Sequence, residues 1–106
     1  MSKLLYHASL KSNDISILNE GILASIDGCV YCCEKPEDCL KFILIRQCGS
    51  TPEPITIFAI NAPDELVEET FDHSYNFFKC RCFGIYSDVP VEWIDLNKCL
   101  EYNPAL

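Results

Sequence analysis

Positive charge, histidine and long apolar runs are what this sequence has little of. Of its 106 residues, 8 are Lys or Arg and 16 are Asp or Glu, giving a formal net charge of -8 at pH 7. That balance repels a phosphate backbone and argues against direct nucleic-acid binding. A local basic pocket could still draw on Lys41, Arg46, Lys79 and Arg81. No run approaches the ~20 apolar residues that a bilayer-spanning helix needs. The opening "MSKLLYHASL" has no long apolar core of the kind a secretory signal carries. The expectation is a cytoplasmic protein with no membrane partner. Repeats, linkers and low-complexity segments are absent, so residues 1–106 read as one domain.

What is present is enough apolar matter for a core. Hydrophobic residues make up 49% of the chain and aromatics 11%, which excludes a disordered chain. Cysteines stand at positions 29, 32, 33, 39, 48, 80, 82 and 99. In a reducing compartment they read as small buried hydrophobes rather than a disulfide framework. Zinc held by Cys29, Cys32, Cys80 and Cys82 is the alternative. Strand alternation turns Cys32 away from the face of Cys29 and Cys33, and an i, i+2 pair such as Cys80 and Cys82 chelates poorly. No metal is expected on those grounds. Cys29-Val30-Tyr31-Cys32 lies within a strand rather than at a helix N-terminus, where a thiol pKa would fall, and no histidine is near any cysteine in sequence, so neither a redox pair nor a thiol nucleophile is expected.

The elements follow from pattern and punctuation. Lys3–Ala8 reads as a first strand. Ser12, Asn13 or Asp14 can cap a helix whose stripe is Ile15, Leu18 and Ile22, with Gly21 as its left-handed stop. Gly28–Cys33 reads as a second strand. Pro36 opens a second helix, with Glu37 and Asp38 in its first turn and Cys39, Leu40, Ile43 and Leu44 along its apolar stripe, and Gly49 ends it. Ile55–Asn61 is apolar on both faces, as a central strand is. "APDELVEE" reads as a turn or short helical piece. Phe77–Tyr86 reads as a strand or hairpin, and "VPVEWIDL" as a closing strand or a turn anchored by Trp93. Clustered strands with two early helices make the fold class α+β.

Within that order lie His7-Ala8-Ser9 at the end of the first strand and Tyr31 on the second. Phe42 stands on the following helix, eleven positions after Tyr31, and Gly21 and Gly28 lie between the two motifs. The combination resembles the N-terminal half of the ADP-ribosyltransferase superfamily, in its diphtheria-toxin and poly(ADP-ribose) polymerase branch. It covers roughly the first 45 residues. The resemblance implies a minimal fold with a split, mostly antiparallel sheet and two early helices. It also implies NAD as substrate, with ADP-ribose transferred to a macromolecular acceptor. In that reading His7 donates a hydrogen bond to a ribose hydroxyl, the Ala8 backbone holds the nicotinamide amide and Ser9 adds a hydroxyl contact. Tyr31 and Phe42 stack on the nicotinamide ring. A carboxylate then stabilises the oxocarbenium-like ribose.

The sequence departs from the family pattern at two positions. Ala8 replaces the glycine of the first motif, and no acid lies in "SYNFFKCRCFGIY", where the late-strand glutamate belongs. Glu92 is the acid assigned to the catalytic set in its place, by analogy alone. Two further readings stay open: a degenerate member that binds NAD, ADP-ribose or a protein without turnover, and a small acidic protein-interaction domain. The plain reading of the same residues is a strand-end histidine bonded to backbone and two core aromatics.

Overall fold

The computed structural model describes residues 2–26, 28–46, 53–70 and 82–103, with the backbone alone at Phe42, Ile45, Arg46 and Thr70. The elements are β1 (Ser2–Leu10), α1 (Asp14–Glu20), β2 (Val30–Cys33), α2 (Pro36–Arg46), β3 (Ile55–Pro63), β4 (Val67–Thr70), β5 (Cys82–Ile85) and β6 (Leu100–Tyr102). The strands form one six-stranded sheet in the order β4-β5-β2-β1-β3-β6, every neighbouring pair antiparallel. The α+β expectation holds.

The sheet is split. β1 and β3 pair along their whole length, from Ser2↔Pro63 to Leu10↔Ile55. β2 and β5 pair at all four positions of each. Between these halves the register is Tyr6↔Cys33 alone. Two three-stranded ladders, β4-β5-β2 and β1-β3-β6, therefore share one register pair among the described residues, Tyr6↔Cys33.

Each face of the sheet has its own core. Leu5, Val30, Cys32, Phe58, Ile60, Phe83 and Ile85 lie on one face, under Ile17 of α1 and the segment carrying Val89 and Ile94. Cys33, Ile55, Ile57 and Cys82 lie on the other, under Cys39, Leu40, Ile43 and Leu44 of α2. β3 feeds both faces, and all six residues from Ile55 to Ile60 are buried. It is paired on both edges, so its unbroken apolar run is what an interior strand requires.

The first helix differs from its expected form. α1 begins at Asp14 and ends at Glu20, so Ile22 lies beyond it and instead bridges Val89. The helix buries Ile17, leaving Ile15 78% and Leu18 42% exposed. Asn13 occupies the N-cap position without a side-chain cap bond. Gly21 does end the helix, with φ +82, and a Cβ there would stand 2.1 Å from the Val89 carbonyl oxygen. Only glycine meets both demands.

The remaining segments resolve the open alternatives. "VPVEWIDL" is a 3-10 turn, Val91–Trp93, with Trp93 packed against the first core. The acidic "APDELVEE" is a 3-10 turn that runs into strand β4. β6 closes the sheet at an edge where the sequence signals nothing. Of Phe77–Tyr86 the described part is β5 with Tyr86; the rest, like Gly49, lies outside the described residues.

Candidate functional site

The site follows from the split. Beyond Tyr6↔Cys33 the β1–β2 ladder has no further register pair. There the His7 side chain takes over from the backbone, with Nδ1 2.8 Å from the Tyr31 carbonyl oxygen. A carbonyl only accepts, so Nδ1 carries the proton and donates it. In the neutral ring Nε2 is then the acceptor nitrogen.

The expected site residues fall on both sides of the sheet. His7 is in register with Phe58, so it shares the face of the first core. Ser9 is in register with Thr56, and its Oγ accepts from Asn13 Nδ2 at 3.1 Å. Ala8 packs against the second core. Tyr31 lies between Val30 and Cys32, which face the first core, so alternation sends its ring to the α2 side, where it is 44% exposed. α2 also carries Phe42, whose side chain lies outside the described residues. Glu92 is exposed on the 3-10 turn that packs near α1 and β3, on the His7 side. His7 and Tyr31 are thus joined across the seam through the Tyr31 backbone, while their side chains project to opposite faces.

One acid that sequence reasoning treated only as a cap takes a larger part. Asp14 Oδ2 accepts from Thr56 Oγ1 at 3.0 Å and lies 3.5 Å from Lys11 Nζ. Its Oδ1 is buried and has no hydrogen-bond partner among the described residues. Lys11 also pairs with Glu101 on β6. Asp14 therefore stands over the β1–β3 ladder at the Ser9–Thr56 row. No residue-type pattern announces this, because the contact depends on register.

Two of the thiols are held protonated by burial. Burial pushes Cys32 far above its usual range and Cys39 up to about 12. Cys32 and Cys33 pack into different cores, as alternation requires. No group of three or more His, Cys, Asp or Glu that could hold a metal occurs among the described residues. Cys48 and Cys80 lie outside them. No helix among the described residues is long and apolar enough to cross a membrane.

Compared with known proteins, the chain matches no family model and no curated protein sequence.

Proposed function

We propose that the protein is an ADP-ribosyltransferase-like domain that binds NAD, or its ADP-ribose portion, at the seam between β1 and β2. The observation that carries this reading is the His7 Nδ1–Tyr31 carbonyl bond at 2.8 Å, beside the single register pair that joins the two half-sheets. On its β2 side, the stretch of β1 that carries His7-Ala8-Ser9 has no register pair beyond Tyr6↔Cys33 among the described residues. A flat amide such as nicotinamide suits such backbone, because it offers one donor edge and one acceptor edge. The His7 ring, oriented by the Tyr31 carbonyl, stands where a ribose hydroxyl would be bound. The Tyr31 ring projects to the opposite face, on the α2 side, so within this site Tyr31 contributes its carbonyl, which orients His7, rather than a stacking face.

Transfer of ADP-ribose to a macromolecular acceptor needs a carboxylate near the ribose. The described part of the late strand, Cys82–Ile85, holds none. Glu92 and Asp14 stand on the His7 side, and either is a candidate for that role. The missing strand acid favours the second reading, a member that binds the nucleotide without turnover.

Titration of the wild-type chain and His7→Ala with NAD and ADP-ribose by calorimetry, alongside a nicotinamide-release assay, tests the proposal. The wild type binds, and His7→Ala binds at least about tenfold more weakly, the size of one lost hydrogen bond to a ligand. Nicotinamide release that Asp14→Asn or Glu92→Gln abolishes identifies the acid. Binding without release establishes the degenerate reading. No heat with either ligand overturns the proposal and returns attention to the acidic surface and a protein partner.

A further inference from the structure

The sheet ends in two unlike edges, β4 and β6, and all three residues of β6 are exposed. β6 pairs with β3 through Ile55↔Tyr102, Thr56↔Glu101 and Ile57↔Leu100. Bonds outside that ladder fix which way each β3 residue turns its backbone. The Pro54 carbonyl accepts from Lys11 N at 2.8 Å, on the β1 side. The Ala59 carbonyl accepts from Asp95 N at 2.9 Å, and Ala59 N donates to Cys99 Sγ at 3.4 Å, on the opposite side. Successive strand residues turn their N–H and C=O to opposite edges. Ile55 and Ile57 therefore turn theirs to β6, toward Tyr102 and Leu100. Glu101 turns its N–H and C=O outward, where no strand among the described residues meets them. We propose that this edge pairs with the same edge of a second copy of the chain, antiparallel about a two-fold axis at Glu101.

The strand is complementary to itself in that register. Glu101 and its copy form a hydrogen-bonded pair, each N–H donating to the other's carbonyl. Leu100 falls opposite Tyr102 of the second copy, twice over by symmetry. Both residues share the face of Ile55 and Ile57, so they carry the second core out to the edge, where they stand 48% and 38% exposed. A cross-strand pair of an aromatic and an aliphatic side chain is stabilising. The Glu101 side chain shares the other face with Thr56, and its carboxylate accepts from Lys11 Nζ. Two copies thus bring two lysines along with their two glutamates. A chain of net charge -8 meets itself where the acid is already paired.

The far edge stops the association at two copies. Asp64, Glu65, Glu68 and Glu69 lie in β4 and the turn before it, and residues 53–70 hold no Lys or Arg. Acids so placed blunt an edge. Pairing of β6 with β6 closes on itself, whereas β6 against β4 would run on as a filament and set Glu101 against these acids. The product is one continuous sheet with β4 at both ends. Three residues a side make a contact smaller than the ~1,600 Å² of a standard interface, so the dimer is weak and reversible. The inference stands independently of nucleotide binding.

Sedimentation equilibrium of the purified full chain, from about 10 μM to about 1 mM, tests it. The expected result is a monomer that becomes a dimer as concentration rises, half-formed at roughly 100 μM, with no larger species. Glu101→Pro should weaken the dimer at least about tenfold without changing the fold, because β3 does not use the lost N–H and an edge strand accepts proline there. Glu101→Gln keeps the N–H and should dimerise at least as tightly as the wild type. Both variants lose the Lys11 pair, so their difference isolates the backbone bond. In the wild type, the Glu101 amide should exchange with solvent more slowly as concentration rises, a readout by NMR that needs no variant. A wild type still monomeric at about 1 mM overturns the proposal. So does a dimer that Glu101→Pro leaves intact, or a Glu101 amide indifferent to concentration. Growth beyond the dimer overturns closure at β4.

Discussion

Single residues carry sharply different weights in this fold. Gly21 is fixed by φ +82 and by the Val89 carbonyl 2.1 Å from where a Cβ would stand. Gly21→Ala should cost at least ~3 kcal/mol, combining left-handed strain with a backbone collision. Urea denaturation measures it, and a cost below about 1 kcal/mol would mean that the turn relaxes freely. The buried thiols predict a pH dependence. Cys39 is pushed from 9.0 to about 12, and burial raises Cys32 as well. From about pH 9 upward the unfolded chain has lost these protons while the folded chain keeps them. The folded state then binds more protons, so stability falls as pH rises, by roughly 1.4 kcal/mol per pH unit for each thiol. Melting curves between pH 8 and 11 should show this decline, flattened in a Cys32→Ala, Cys39→Ala double variant that still folds. An unchanged slope would assign the decline to other groups.

At the scale of elements, α1 illustrates what pattern reading captures and where it stops. The turn chemistry of Gly21 was visible, yet the apolar stripe of Ile15, Leu18 and Ile22 pointed to the wrong face. The helix has 7 residues, so it presents only one buried position, and docking selects Ile17. Ile17→Ala should therefore cost about 2–4 kcal/mol, and Ile15→Ala under about 0.5 kcal/mol, in chemical denaturation. Equal costs would show that the helix docks by another face. Strands β1 and β3 and helix α2 were legible because they bury apolar residues at their own periods. Strands β4 and β6 were not. They are edge strands: all three residues of β6 are exposed, and in β4 the half-buried positions are Val67 and the acidic Glu69, so neither shows an apolar alternation in sequence. Their order comes from ladder bonds to β5 and β3, which every backbone can make. The site was legible to the same degree. His7 and Tyr31 stood out by type and spacing, but the bond between them uses a carbonyl, which carries no residue-specific signal. Asp14 over Thr56 is likewise a product of register.

For the whole molecule, the split organises everything else. Two ladders of three strands meet at Tyr6↔Cys33, with His7 reaching across beside it and Cys82 in the same row. The proposed nucleotide site lies at this junction, between β1 and β2. The measurement that tests this centre most directly is the ring-nitrogen NMR spectrum of the histidines, taken with and without NAD. The chain has two histidines, and His7→Ala assigns the signals. The expected result is a His7 that carries a proton on Nδ1, with its Nε2 resonance shifting as NAD is added to about 1 mM, near the weak end of small-ligand affinities. A His7 protonated at Nε2 alone, or one indifferent to NAD at that concentration, would contradict it.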